Sequence, residues 1–111
     1  MDIKERISEN IYIMSISGRI DTANAKEMEA KLNDVVDNNW PKIIINLTAV
    51  DYISSSGLRA LLAAFRRQEQ KKGTLLIVSN QPFVENIFKI TGLDRVFIIC
   101  ITEEGAIRGL S

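Results

Sequence analysis

The chain has 111 residues, which suits one compact domain, and 46% of them are apolar, enough to build a core. Lys plus Arg and Asp plus Glu number 14 each, so the chain lacks the basic footprint of a nucleic-acid binder and the polybasic clusters that hold proteins on anionic lipid. There is no histidine and one cysteine, Cys100, which excludes a Ser-His-Asp triad, a Cys-His pair, histidine metal ligands and an internal disulfide.

Residues 1–6 have no apolar signal-peptide core, and no apolar run is long enough to span a bilayer. The expectation is a cytoplasmic protein with no membrane partner and no direct nucleic-acid partner. No cofactor and no metal is expected either. The first strand is predicted over 2–7, paired across a tight turn of Ser8, Glu9 and Asn10 with a strand over 11–16. Residues 18–22 (Gly-Arg-Ile-Asp-Thr) read as a loop. Ala25, Met28, Leu32, Val35 and Val36 recur at helical spacing and predict an amphipathic helix over 24–38. Asn24 and Glu27 resemble a capping pair, and Trp40-Pro41 ends the element.

A strand covered on both faces is predicted over 42–48. Three consecutive serines, Ser54, Ser55 and Ser56, then precede a helix running to about Lys72, with Leu58, Leu61, Leu62 and Phe65 on its apolar face and Gly73 as its stop. The basic cluster of Arg66, Arg67, Lys71 and Lys72 reads as a solvated face of that helix. Residues 74–79 form a third buried strand. Pro82 opens a helix in which Phe83, Ile87 and Ile90 make one stripe, widened by Val84 and Phe88, and which ends at Thr91-Gly92. The last core strand is predicted over 96–101, with Cys100 as a buried thiol, and a short helix follows from Thr102. Tyr12, Met14 and Phe97 are assigned to the core. This alternation predicts an α/β fold: one domain over 1–111, a mixed, largely parallel sheet of about five strands, and about four helices.

The serine turn is the candidate site. It falls at a helix N-terminus, where backbone N–H groups lack partners and the helix dipole is positive. One reading is capping, by Ser55 or Ser56, with Ser54 as the alternative closing the strand end. The other is a switch. Phosphorylation adds about −1.5 to −2 charge and three acceptor oxygens, turning a small neutral patch into a bulky anionic one. Gly57, without a Cβ, is expected to let a partner's backbone or a nucleotide approach the turn. Arg59, four residues after Ser55, is placed to pair with a phosphate there or with an acidic partner. A nucleophilic serine is excluded, because the turn does not match Gly-x-Ser-x-Gly and no base is positioned. A nucleotide-binding domain is disfavoured, since there is no Gly-rich loop and no P-loop lysine.

Residues 53–58 (Ile-Ser-Ser-Ser-Gly-Leu), following Ile43-Ile44-Ile45-Asn46-Leu47, resemble the signature of the bacterial anti-sigma factor antagonists, the STAS domain family. Residues 18–21 (Gly-Arg-Ile-Asp) are similar to that family's Gly-x-Leu/Ile-Asp loop, and residues 90–97 (Ile-Thr-Gly-Leu-Asp-Arg-Val-Phe) to its helix-to-strand connection. The resemblance covers about 3–110. It implies a non-enzymatic, phosphorylation-controlled binding module. Unphosphorylated, such a module binds an anti-sigma factor that is also a serine kinase of the ATP-binding histidine-kinase-like fold, and so releases a sigma factor. The kinase then phosphorylates it, and a PPM-type phosphatase resets it. The resemblance places the phosphoacceptor at Ser55, with Ser54 and Ser56 as alternatives. It places the partner-binding surface at Asp21, Thr22, Ser54, Ser56, Gly57 and Arg59. Ser54 stands where the family carries an acid, and Asn46 where it often carries Asp. Those two residues motivate the alternative of a non-phosphorylated structural STAS module in a larger assembly.

Overall fold

The computed structural model describes residues 1–110. Strands β1 (Asp2–Ser8) and β2 (Ile11–Ile20) pair antiparallel across a turn of Glu9 and Asn10. Helix α1 (Ala25–Asp37), strand β3 (Lys42–Ile53), helix α2 (Ser55–Gln70), strand β4 (Thr74–Val78), helix α3 (Pro82–Thr91), a 3-10 turn (Leu93–Arg95), strand β5 (Ile98–Cys100) and helix α4 (Glu103–Leu110) follow. The sheet order is β1-β2-β3-β4-β5, and every pair after the first is parallel. The architecture is thus the expected mixed α/β domain of five strands and four helices.

Right-handed crossovers that always step in the same direction must place their helices on one face. The core follows that rule. Met28, Leu32 and Val36 of α1, Leu58, Leu61 and Phe65 of α2, and Val84 and Phe88 of α3 share one cluster with Met14, Ile43, Ile45 and Leu47 of the sheet. Helix α4 alone covers the opposite face, where Ala106 packs on Ile11, Ile13, Ile44, Leu76 and Val78. All five apolar positions read into α1 are buried, and Tyr12, Met14 and Phe97 are core residues.

Several boundaries differ from the sequence reading. Strand β2 continues through Gly18 and Arg19 to Ile20, with bulges near Ser15–Ser17 and Gly18–Arg19, where a loop was expected. Strand β3 runs on to Ile53 because Val50 and Ile53 are still buried. The left-handed residue after α2 is Lys72 (φ 62°), not Gly73. Gly73 is needed for space instead: a Cβ there would lie 2.3 Å from Gln68 Nε2, which bridges to the Trp40 carbonyl. In α3 the buried residues are Val84 and Phe88, the latter against Phe97, while Phe83 and Ile90 point outward. The two rows are adjacent on the helix surface, and only packing chooses between them. Strand β5 is three residues long, because Val96 and Phe97 N–H still donate to the Leu93 carbonyl as a helical turn. It is an edge strand, so Cys100 is half-buried rather than fully enclosed.

The basic cluster on α2 is not simply solvated. Arg67 donates to Asn33 (2.6 Å) and pairs with Asp37, and Lys71 donates to the Val36 carbonyl and Asn39 Oδ1, both at 2.8 Å. These bonds tie the last turn of α2 to the end of α1.

Helix α4 is fixed at both ends. Thr102 Oγ1 caps it by accepting from Gly105 N–H at 3.0 Å, and Lys42 Nζ donates to the Leu110 carbonyl at 2.6 Å. Glu103 accepts from Arg6 and, at 2.7 Å, from Asn46 Nδ2. Burial raises the Glu103 pKa, but the bonds from Arg6 and Asn46 and the Arg6 charge outweigh it, leaving the carboxyl below its ordinary value. A depressed carboxylate stabilises the fold above its unfolded pKa and loses that contribution as pH falls through the folded value. Acid titration followed by circular dichroism is therefore expected to show stability falling below about pH 4.5, with Glu103→Gln flattening the dependence. Asn46→Asp, which sets a second carboxylate against Glu103, is expected to cost about 1 kcal/mol or more at pH 7 by urea denaturation.

Candidate functional site

The serine turn joins the C-terminal end of β3 to α2, and the three hydroxyls meet three different environments. Ser54 is the N-cap. Its backbone is extended (φ −81°, ψ 167°), its Oγ accepts from Gly57 N–H at 3.2 Å, and its carbonyl accepts from Leu58 N–H at 3.0 Å. The cap is therefore Ser54 and not Ser55 or Ser56. It is only 7% exposed, and its N–H donates to the Ile20 carbonyl at 2.8 Å, locking the turn to the end of β2. A Ser at this position supplies the capping acceptor without a charge, and Asp and Ser are equally good caps.

Ser55 is the first residue of α2 and is exposed. Among the described residues its hydroxyl has no hydrogen-bond partner, and its N–H belongs to the unpaired first turn of the helix. Ser56 is half-buried, and Arg59 reaches it with a long 3.5 Å contact from Nη2. The guanidinium is thus turned toward Ser56, one turn from Ser55.

Gly57 differs from its expected role. It is buried, and a Cβ there would meet Ile20 Cγ2 at 2.7 Å and Ile53 Cγ1 at 2.9 Å. The close approach it permits is that of α2 to the ends of β2 and β3, not that of a ligand to the surface.

Asp21 and Asn24 form a reciprocal pair: Asn24 Oδ1 accepts from Asp21 N–H at 2.8 Å and Asp21 Oδ1 from Asn24 N–H at 2.9 Å. Asn24 Nδ2 also donates to the Arg19 carbonyl at 2.9 Å. This pairing replaces the expected Asn24–Glu27 capping box. It shapes the turn before α1 and leaves Thr22 exposed at its tip. The Ile20–Ser54 backbone bond brings that turn beside the serines.

Thr22, Ser56 and Arg59 line one cleft of about 220 Å³ between the starts of α1 and α2, with Ala25, Lys26 and Glu29 on its α1 side. Lys26 and Glu29 had no signal in the sequence, being two of several charged residues on an exposed helix face. A second missed feature flanks the turn. Arg19 lies 4.2 Å above the Tyr52 ring, and Tyr52 stacks on Phe83 at 5.6 Å. Its residues come from β2, β3 and α3, so no local pattern announces it. Asp51, the residue before Tyr52, is exposed. Among the described residues no three His, Cys, Asp or Glu side chains converge as metal ligands, and no helix is long and apolar enough to cross a membrane.

A mixed, largely parallel sheet with helices α1 to α3 on one face, α4 on the other and a capped serine turn at the strand ends defines a single small α/β domain. The STAS domain family matches residues 2–106, and the chain belongs to that family. BtrV of Bordetella bronchiseptica, assigned by its name to the anti-sigma factor antagonists, is 32% identical over 98 residues, spanning 88% of this chain and 84% of BtrV. The anti-sigma-F factor antagonist RsfB of Mycobacterium tuberculosis is 29% identical over 102 residues, 90% of this chain and 81% of RsfB. The crystal structure of an anti-sigma factor antagonist from Mycobacterium paratuberculosis superposes with a TM-score of 0.91 at 27% identity, covering 97% of this chain and 92% of that one.

Gly57→Ala is expected to destabilise the protein by about 1–3 kcal/mol through overpacking against Ile20 and Ile53. The measurement is the urea midpoint, with Gly109→Ala as a control where an added Cβ meets nothing within 4 Å.

Proposed function

We propose that this chain, as a single STAS domain over 1–111, is an anti-sigma factor antagonist in the cytoplasm of a bacterium, controlled by phosphorylation of Ser55. The observation that carries the choice of Ser55 is the division of labour in the turn. Ser54 is a buried cap, Ser56 is half-buried beneath Arg59, and Ser55 alone is exposed with a free hydroxyl. A kinase can reach it without unfolding the helix.

In this reading the unphosphorylated turn, with Asp21, Thr22, Ser54, Ser56, Gly57 and Arg59 around it, docks on an anti-sigma factor that is itself an ATP-dependent serine kinase. Gly57 and Ser54 act there by holding the turn's shape, and Thr22 and Arg59 by contact. Phosphate on Ser55 is tolerated by the helix, because a dianion at the N-terminus meets free N–H groups and a favourable dipole. The same charge is not tolerated by a partner packed on the turn, which meets desolvation and repulsion. A PPM-type phosphatase restores the binding form. The protein is then a substrate and a binding module with no catalysis of its own. The names of its relatives support the antagonist role.

Incubation of the purified protein with its cognate kinase and ATP is expected to add one phosphate, mapped to Ser55 by mass spectrometry and absent in Ser55→Ala. Phosphate on Thr48 or Thr74, or none, overturns the assignment. Ser55→Asp is expected to weaken binding of the unphosphorylated-state partner by tenfold or more, about 1.4 kcal/mol. Unchanged binding would favour the structural module, the reading that the uncharged Ser54 motivates.

A further inference from the structure

Beside the serine turn, at the same C-terminal end of the parallel strands, Arg19, Tyr52 and Phe83 stack on one another at the surface. Strands β2 and β3 shift register between Gly18 and Arg19, so Gly18 pairs with Val50, Arg19 pairs with Tyr52, and Asp51 is passed over. Such a bulge re-aims a side chain. Arg19 therefore lies 4.2 Å from the Tyr52 ring centre instead of opposite an acid. Among the described residues its guanidinium pairs with no carboxylate. Tyr52 in turn stacks on Phe83, with ring centres 5.6 Å and planes 27° apart. Phe83 is 44% exposed at the start of α3. The loop before it is tied to β3 by Gln81 Nε2, which donates to the Thr48 carbonyl at 2.7 Å.

We propose, resting on the antagonist reading of the turn, that this stack is a second contact point for the same anti-sigma partner, receiving an apolar side chain on Phe83 and a carboxylate at Arg19. Proximity selects the occupant. A standard interface covers about 800 Å² of each partner, a disc roughly 16 Å in radius. Tyr52 precedes Ser54 by two residues of extended chain, about 7 Å. The Ile20 carbonyl, next to Arg19, accepts from Ser54 N–H at 2.8 Å. A body seated on the serines with a footprint of that size reaches the stack as well.

Chemistry selects the groups that meet there. Tyr and Arg are enriched among the residues that carry binding energy, and a half-exposed ring offers a large apolar contact. Arg19, laid over Tyr52 before a partner arrives, loses little freedom on docking. Its charge is uncancelled, so a carboxylate is attracted and a cation repelled. Phosphate on Ser55 changes the turn and leaves the rings as they are. The turn thus controls when the partner binds, and the stack contributes to which partner binds.

The probe is the purified anti-sigma kinase of the Ser55 phosphorylation experiment, titrated without ATP into the full chain by calorimetry. Phe83→Ala is expected to weaken binding by about tenfold or more, with an unchanged circular dichroism spectrum. Arg19→Glu is expected to weaken it by a similar factor at about 50 mM salt and by less at about 500 mM. Ile90→Ala is the control. It removes another exposed apolar side chain (72%), about 10 Å further along α3, and is expected to bind as the wild type does. Wild-type binding that Phe83→Ala or Arg19→Glu leaves unchanged, or that Ile90→Ala weakens as much, overturns the second contact and leaves the antagonist reading standing. A wild type that the kinase neither binds nor phosphorylates overturns both.

Discussion

Strand β3 runs through the middle of the sheet with Ile43, Ile45 and Leu47 toward α1 to α3 and Ile44 toward α4. All four are essentially without solvent contact. Burying each such side chain contributes on the order of 1.5–3 kcal/mol, but only if both faces are covered. That requirement shapes the molecule. One face is served by three successive crossover helices. The other would be left bare if the chain stopped at β5, and α4 is the element that closes it. The ties at Glu103, Asn46, Arg6 and Lys42 are the means by which an eight-residue helix, too short to be stable alone, is held in place.

The same strand determines where the serine turn sits. Because Ile53 is still in the core, the chain leaves β3 at a fixed point, and Ser54 must cap the helix that follows. The bond from Ser54 N–H to the Ile20 carbonyl then couples the turn to β2, and Gly57 lets α2 seat against Ile20 and Ile53. The three serines are chemically identical and adjacent, yet one becomes a buried acceptor, one a free exposed hydroxyl, and one a half-buried neighbour of an arginine. An Asp at position 54 would cap equally well, so exchanging Ser54 for Asp would alter the field around the turn and leave its geometry.

Charges on this neutral chain are used locally. Arg67 and Lys71 join α2 to α1, Arg6 joins β1 to α4, and Asp21 pairs with Asn24 within its own turn. Each was a surface residue in the sequence, with no sign of its partner. Asp21 in particular resembles a binding residue by motif, and its carboxylate here accepts a backbone N–H, so part of its role is to build the surface on which Thr22 is presented.

The sequence by itself determined the order of elements, the mixed, largely parallel sheet, the five core positions of α1 and the place of the serine turn. These follow from local periodicity and from turn residues, which act over a few positions in the chain. Tertiary structure decided the matters that depend on what lies across the core. It chose Val84 and Phe88 over Phe83 and Ile90 as the buried row of α3, shortened β5 to an edge, and moved Gly57 from a surface role to a packing one. It also brought Arg19, Tyr52 and Phe83 together from three elements. Two neighbouring helical rows look alike in sequence, and three hydroxyls in a row look alike in chemistry. Only the packing of distant residues gives each one a different solvent exposure and a different partner.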